Sequence, residues 1–229
     1  MLPSFKMIQW IILIVIILLV FSKQVTGYSK VTCLSTDQTN KFLASDPDGF
    51  VKSLNTWDLF ARKVSTSQEY INKISKSGLA CNVPKEMTDK ADALFRSRGD
   101  SAIADIPWVF AMTDGTYEDG YPHTRQNVIF LSGQFDYETL VHEKIHVAQR
   151  MNPPDLQKMG YNYVGPRSGI FRLRSNPDIS DGSVWKDSSG EVMVAHYNSD
   201  RPINIGDVDI DAQHEHPYEF MAYNYIYNK

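Results

Sequence analysis

Residues 142–146 read His-Glu-Lys-Ile-His, and this pentapeptide constrains the fold more than any other stretch of the chain. Two histidines at this spacing lie one turn apart on the same face of a helix, because about four residues make one helical turn. The flanks also favour a helix, since Asp136 can serve as its N-cap and Asn152-Pro153-Pro154 can end it. The sequence therefore predicts a helix between Asp136 and Asn152 that presents both imidazoles to one point.

Two segments upstream of this helix are typical of strands. Gln126–Leu131 is a β-branched and aromatic run, and Ser132-Gly133 breaks it. Ile106–Met112 is a second candidate, with Pro107 placing it at a strand start or at a sheet edge, because proline cannot donate to a ladder. The predicted order in this part of the chain is strand, turn and histidine helix.

His142 and His146 form half of a possible zinc site. Zinc takes neutral imidazole nitrogens as ligands and makes the water that it carries more acidic. Glu143 lies between the two histidines in sequence and projects beside them, where it can accept a proton from that water. These residue types at this spacing indicate hydrolytic chemistry with Zn²⁺ as the cofactor.

A catalytic zinc site needs a third protein ligand, and none follows closely after His146. The other stretch rich in ligand types is residues 214–223. Pro217 is a favourable first residue of a helix and places Glu219 in the first turn. Glu219 is therefore the predicted third ligand.

Other interpretations of these residues stay open at the level of sequence. His142 and His146 could be solvated side chains on a surface helix. Glu219 could be a surface carboxylate that interacts with the helix dipole. His214 and His216 are the rival third ligands.

The pentapeptide, the strand before it and a glutamate on a later helix resemble the zincin superfamily in its gluzincin branch, over about residues 104–229. The resemblance implies an α+β fold in which a small mixed or antiparallel sheet packs on the active-site helix. It also implies His142, His146 and Glu219 as zinc ligands, with Glu143 as general base and later proton donor.

The same resemblance implies a zinc metallopeptidase that acts on a protein or peptide substrate, with an edge strand to align the substrate backbone. It further implies a Tyr or His that stabilises the oxyanion. Tyr223, one turn beyond Glu219, is the first candidate, and His123 and His196 are the others. Two alternatives are a non-catalytic extracellular or membrane-tethered binding module on this scaffold, and a cell-surface structural protein.

The N-terminus has the pattern of a targeting segment. Trp10–Phe21 is an unbroken run of 12 apolar residues, which fits a signal-peptide core of about 7 to 15 residues better than a bilayer span of about 20. The pattern predicts cleavage of residues 1–27 before Tyr28. The alternative is an uncleaved anchor over residues 7–22, and either way the rest of the chain is expected to be secreted or extracytoplasmic.

Residues 28–229 are predicted to form one domain with a helical part over 40–100. Apolar residues recur at helical spacing from Trp57 to Ile74, and Thr88 is predicted to cap a second helix. The strand and the active-site helix occupy 104–152. The predicted hairpin and C-terminal ligand helix fill 176–229, with Ser183–Lys186 and Glu191–Tyr197 as the hairpin strands.

The two cysteines bear on the state of the thiols, and the net charge bears on the class of partner. In an oxidising compartment Cys33 and Cys81 are expected to be bridged, and the alternative is two buried thiols. The net charge is −4, and no basic patch with interleaved aromatic residues occurs. Nucleic acid is therefore not an expected partner.

Overall fold

The structure is a computed structural model that describes residues 30–210 and 212–227. The leader over residues 1–27, the cut before Tyr28 and the alternative anchor over 7–22 lie outside the described residues. Within the described part of the chain, no helix has both the length and the apolar character that a membrane crossing requires.

Helices and strands alternate irregularly along the described residues. The α-helices are α1 (Thr36–Ser45), α2 (Thr56–Ala61), α3 (Ser67–Ile74), α4 (Lys85–Ser97), α5 (Ser101–Ala104), α6 (Tyr137–Met151) and α7 (Pro217–Tyr227). The strands are β1 (Val31–Cys33), β2 (Gly78–Leu79), β3 (Trp108–Thr113), β4 (His123–Arg125), β5 (Val128–Ser132), β6 (Asn162–Pro166), β7 (Ser183–Lys186), β8 (Val192–Met193), β9 (Ala195–Tyr197) and β10 (Val208–Ile210). Short 3-10 turns occupy Val51–Ser53 and Tyr117–Gly120. The fold is therefore of the predicted α+β class.

The largest sheet has the strand order β1-β3-β5-β4, with β2 also paired to β3. Strand β3 is parallel to β1 and β5, whereas β4 is antiparallel to β5 and β2 is antiparallel to β3. The sheet is thus mixed, with β4 at one edge. Pro107 directly precedes β3, which is an inner strand, so the strand-start interpretation of this proline is correct and the edge interpretation is wrong.

Helix α6 packs on one face of this sheet because its apolar side chains match those of β5. Leu140, Val141 and Ile145 join a buried cluster with Ile129 and Leu131. Phe130 points to the other face, where it packs among residues of α1 and α3. The alternation of β5 side chains between two cores fixes the histidine helix against the sheet.

A disulfide joins Cys33 at the end of β1 to Cys81 just before α4, with 5.6 Å between their Cα atoms. The bridge predicted from sequence is confirmed. It ties the first described strand to the helical part of the chain.

The segment from Trp57 to Ile74 is helical, as its apolar spacing predicts, but it is divided between α2 and α3. Helix α2 ends at Ala61, and Lys63 takes a left-handed conformation with φ of 58°. Thr66 then caps α3 by accepting a hydrogen bond from the backbone of Glu69. The break leaves Arg62 buried, where it pairs with an acidic side chain from another part of the chain.

Thr88 does not cap the next helix, and that prediction is wrong. Helix α4 starts at Lys85 after Pro84, whose φ of −61° suits a helix entry. The Thr88 hydroxyl lies inside the helix and donates to the carbonyl of Lys85.

The C-terminal half contains two small sheets, β6-β7-β8 and β9-β10. Strands β7 and β8 form the predicted hairpin, with Trp185 opposite Met193. Beyond the hairpin, β9 leaves it and pairs with β10. Helix α7 begins at Pro217 as predicted and contacts α6, which brings the end of the chain against the histidine helix.

Candidate metal centre

Helix α6 carries the two histidines, and its ends lie where the sequence predicted them. The Asp136 carboxylate accepts a hydrogen bond of 2.7 Å from the backbone of Thr139, and the helix stops at Met151. His142 and His146 lie on the same face, with ring centroids 4.7 Å apart. The local spacing therefore produces the paired imidazoles.

Glu219 on α7 approaches both histidines. Its Oε2 lies 3.3 Å from Nε2 of His142 and 3.6 Å from Nε2 of His146, and the two Nε2 atoms are 3.0 Å apart. These ligand atoms all lie within 4.8 Å of one another, a cluster that could hold a metal ion. The structure therefore brings together the three residues that the sequence singled out.

Gln149 fixes the orientation of His146. Its amide nitrogen donates to the carbonyl of Tyr218 over 3.1 Å, so its oxygen faces Nδ1 of His146 at 2.8 Å. Nδ1 must then carry a hydrogen, and Nε2 is left as the atom directed at His142 and Glu219. A partner on the remote ring nitrogen is the usual way in which proteins orient a histidine ligand.

Asn176 orients Glu219 in a similar way. Its amide oxygen accepts from the backbone of Asp178, and its amide nitrogen donates to Oε1 of Glu219 over 2.8 Å. The same nitrogen donates to Glu215, which also binds Arg174. One carboxylate oxygen of Glu219 is thus held, and the other is free to face the two histidines.

The close approach of Glu219 to the two histidines changes the pKa of His146 and of Glu219. Burial disfavours a charge on His146, but the carboxylates of Glu219 and Asp178 outweigh burial and raise the pKa of its ring to about 10. Burial acts against the charge of Glu219 too, yet the two histidines hold the pKa of its carboxyl well below the usual range. The cluster therefore favours a positive charge at its centre, which either a proton or a metal ion can supply.

Glu143 lies beside the cluster and is 2% exposed. The hydroxyl of Thr124 on β4 lies 2.9 Å from its Oε2 and 3.1 Å from its backbone oxygen. Burial raises the pKa of the Glu143 carboxyl well above its usual value, and the charge of Asp178 raises it further. A buried carboxylate with a raised pKa is suited to take and return a proton near neutral pH.

Asp178 is a second buried carboxylate at the site, and it is not among the residues predicted from the sequence. Its Oδ1 accepts a hydrogen bond of 2.5 Å from the backbone of Thr124. Burial raises the pKa of Asp178, and Glu219 adds to the increase. It lies in the irregular segment between Phe171 and Ser183, where no periodic pattern could have indicated a functional position.

The candidates for stabilising an oxyanion have different surroundings. The Tyr223 ring packs against His142 with 4.8 Å between centroids and is 45% exposed, so its hydroxyl can reach a ligand in the cleft. His123 is buried, and its Nδ1 lies 2.8 Å from the carbonyl of Tyr121. His196 is on β9 against Phe171 and does not line the cleft.

His214 and His216, the other candidates for the third ligand, lie near the site but outside the group of His142, His146 and Glu219. His214 stacks on Tyr223 with 5.0 Å between ring centroids. His216 is buried, and its Nδ1 accepts a hydrogen bond from the backbone of Tyr218. Of the residues from 212 to 227, Glu219 alone belongs to the cluster.

The edge strand next to the histidine helix is β4, and its backbone is already engaged at Thr124. The Thr124 N–H binds Asp178, and its carbonyl accepts a hydrogen bond of 3.0 Å from Arg150. Arg150 also binds the carbonyl of Pro177. The segment around Pro177 therefore covers the edge that was expected to align a substrate.

An open cleft of about 430 Å³ runs over the site. His142, Glu143 and Glu219 lie in its wall together with Asp178 and Tyr223. Its lining also includes apolar or aromatic side chains at Tyr121, Pro122, Ile205, Ile210, Ile226 and Tyr227. The metal cluster and the buried carboxylates are therefore accessible from one side.

Comparisons with known proteins gave no match among family models, curated proteins or solved structures.

Proposed function

We propose that this protein is a zinc-dependent metallopeptidase with a zincin-like catalytic centre. The observation that carries the proposal is the approach of Glu219 to both His142 and His146, with the buried carboxylate of Glu143 directly beside them. Hydrolysis of an amide by this chemistry requires a metal site, a general base and a cleft at one place, and these residues could supply all three.

The donor set fits zinc. Two imidazole nitrogens and one carboxylate oxygen form one of the usual ligand sets of catalytic zinc, which keeps a further position open. His142 has the most exposed side chain of the three, at 13%, and it lines the cleft, so an ion held by these residues would be reached from the cleft. When bound there, zinc would polarise the substrate carbonyl and make a water molecule more acidic.

Glu143 would be the residue that takes and returns the proton. Thr124 holds one carboxylate oxygen, which leaves the other to take a proton from the attacking water. The same carboxyl then gives the proton to the amide nitrogen as the bond breaks. The raised pKa of Glu143 matches both steps.

Tyr223 is the residue that would assist the reaction from beside His142. Its contact with His142 puts the phenol on the metal side of the cleft, and its exposure allows it to move. A phenol hydroxyl can donate to the oxygen that becomes negative during attack. We assign this role to Tyr223 rather than to His123, whose Nδ1 hydrogen is used by Tyr121.

A location outside the cytosol agrees with this proposal. The Cys33–Cys81 bridge is a feature of proteins in oxidising compartments. We propose a secreted or extracytoplasmic enzyme, which residues 7–22 could tether to a membrane if they are retained. Its substrate would be a protein or peptide.

The test is metal analysis of the purified protein combined with cleavage of a peptide library. The proposal expects one zinc per chain, and it expects hydrolysis that a chelator stops and added zinc restores. A zinc-loaded protein that cleaves no peptide would support the non-catalytic binding module instead. A protein that binds no zinc would refute the proposal.

A further inference from the structure

Strand β4 cannot align a peptide through its own backbone. At Thr124 both backbone groups are bonded within the chain, to Asp178 and Arg150. Pro122, two residues earlier, has no N–H to offer. A ligand in this cleft must therefore be recognised mainly by side chains.

Acidic side chains dominate the lining of the cleft. They are Glu118, Asp136, Glu138, Glu143, Asp178, Glu215 and Glu219, whereas Arg174 is the one lysine or arginine among the lining residues. Arg174 forms an ion pair with Glu215, and Glu118 is neutralised by Arg62 outside the cleft. Glu219 and Glu143 belong to the catalytic centre. Among the buried acidic residues that line the cleft, Asp178 alone has neither a catalytic role nor an ion-pair partner named above.

His123 is a second group in the cleft that a hydrogen-bond donor could satisfy. It is 3% exposed and lines the cleft, and its Nε2 is buried without a hydrogen-bond partner among the described residues. Because Nδ1 is directed at the carbonyl of Tyr121, it carries the hydrogen, and Nε2 is an acceptor on the opposite side of the ring. Asp178 is the acidic residue whose charge acts most strongly on this ring, so the ring lies close to the acidic wall.

Asp178 and His123 are neighbours across Thr124. Asp178 binds the backbone N–H of Thr124, the residue that follows His123. Arg150, whose charge acts on Asp178, donates from Nη2 to the carbonyls of Thr124 and Pro177. A buried carboxylate and an acceptor nitrogen therefore lie near each other at the cleft, and the nitrogen, Nε2 of His123, has no hydrogen-bond partner among the described residues.

We propose that Asp178 and His123 form a subsite for a basic side chain, lysine or arginine, of a peptide substrate held next to Glu143. This inference rests on the proposed function and adds the substrate class to it. An ammonium or guanidinium group satisfies carboxylates and neutral acceptors together, which no apolar side chain can do. The exposed rings of Tyr121, Tyr223 and Tyr227 at the cleft mouth suit the aliphatic stem and the apolar neighbours of such a residue.

The experiment measures peptide binding to the full-length, zinc-loaded Glu143→Gln protein, so that the peptide survives. Two labelled peptides are compared by fluorescence anisotropy, identical except that one carries lysine where the other carries norleucine. Asp178→Asn is then added, because asparagine keeps the oxygen that accepts from Thr124 but removes the charge. Asp155→Asn is the matched control, since it removes an exposed carboxylate outside this cleft.

The lysine peptide should bind at least about tenfold more tightly than the norleucine peptide, as expected for hydrogen bonds to a charged group. Asp178→Asn should remove most of this difference, whereas Asp155→Asn should leave it unchanged. Equal affinity for the two peptides, no binding of either, or a preference that survives Asp178→Asn would overturn the subsite. A lysine preference without hydrolysis by the wild type would refute the peptidase and leave the subsite in place, and unselective hydrolysis would do the reverse.

Discussion

The side-chain oxygen of Gln149 lies 2.8 Å from Nδ1 of His146, one turn along the same helix. This hydrogen bond fixes which nitrogen of the His146 ring faces the candidate metal site. Because the Gln149 nitrogen binds the carbonyl of Tyr218 on α7, the same amide also joins the helix of the two histidines to the helix of Glu219. The geometry of the site therefore depends on a residue that would not touch the metal.

Replacement of Gln149 by leucine should weaken zinc binding by about 10- to 100-fold, because the His146 ring loses its orienting partner. Titration with a competing chelator measures the affinity. Gln157→Leu, on the surface loop after Pro154, is the control and should have no effect. Wild-type affinity in the Gln149 variant would show that the bond does not orient the ligand.

Glu219→Ala should lower zinc affinity by at least about tenfold, since a lost ligand should cost no less than a lost supporting residue. Glu191→Ala is a suitable control because Glu191 is exposed on the hairpin. Glu215 is a poor control, since its loss would leave Arg174 and Asn176 without their partner. Unchanged zinc affinity after Glu219→Ala would contradict the assignment of the third ligand.

The parts of the site that the sequence predicted are those with local signals. Asp136, the histidine spacing and Pro217 each act within one or two helical turns, so α6 and α7 begin where expected. Glu219 was placed by its position in the first turn of α7. Its contact with the histidines then follows from the packing of α7 on α6.

The supporting residues could not be predicted in the same way. Asn176 and Asp178 reach the site through an irregular segment, and their partners Glu219 and Thr124 are distant in sequence. Gln149 had a weak signal, because it is three residues after His146 on the same helix. The break at Lys63 arises from tertiary contacts of its neighbour Arg62, which periodicity does not reveal.

The ion pair between Arg62 and Glu118 should stabilise the wall of the cleft. Both side chains are almost fully buried, and Tyr70 also binds Glu118 over 2.9 Å. Glu118→Ala removes the nearer of the two carboxylates of the buried Arg62 and leaves only the 3.5 Å contact with Asp58, so it should lower the free energy of unfolding by about 3 kcal/mol. Urea denaturation measures the change.

The exposed pair of Lys85 and Asp89 provides the matched comparison. Asp89→Ala should change the free energy of unfolding by less than about 1 kcal/mol, because exposed ion pairs contribute little. If the two variants had equal effects, the buried pair would have no special role in the stability of this fold.

Acid should weaken the contacts of Arg125. Burial opposes the charge of Asp48, but hydrogen bonds and the charge of Arg125 outweigh it and lower the pKa of the Asp48 carboxyl below 3.8. A lowered folded-state pKa contributes stability that is present above the unfolded value and is lost as the pH falls through the folded one. Asp48→Asn should therefore lower the urea midpoint at pH 7 and show a smaller further decrease below pH 4 than the wild type. Parallel pH profiles would contradict this.

The most direct test of the peptidase is the rate of peptide hydrolysis by Glu143→Gln at full zinc loading. Glutamine has nearly the same shape as glutamate but cannot take the proton, so the account predicts an unchanged zinc content and a fall in kcat of about 10²-fold or more. The zinc content of each sample, measured by atomic absorption, separates this effect from loss of the metal. Wild-type kcat in the zinc-loaded variant would contradict the central claim that Glu143 is the general base of this site.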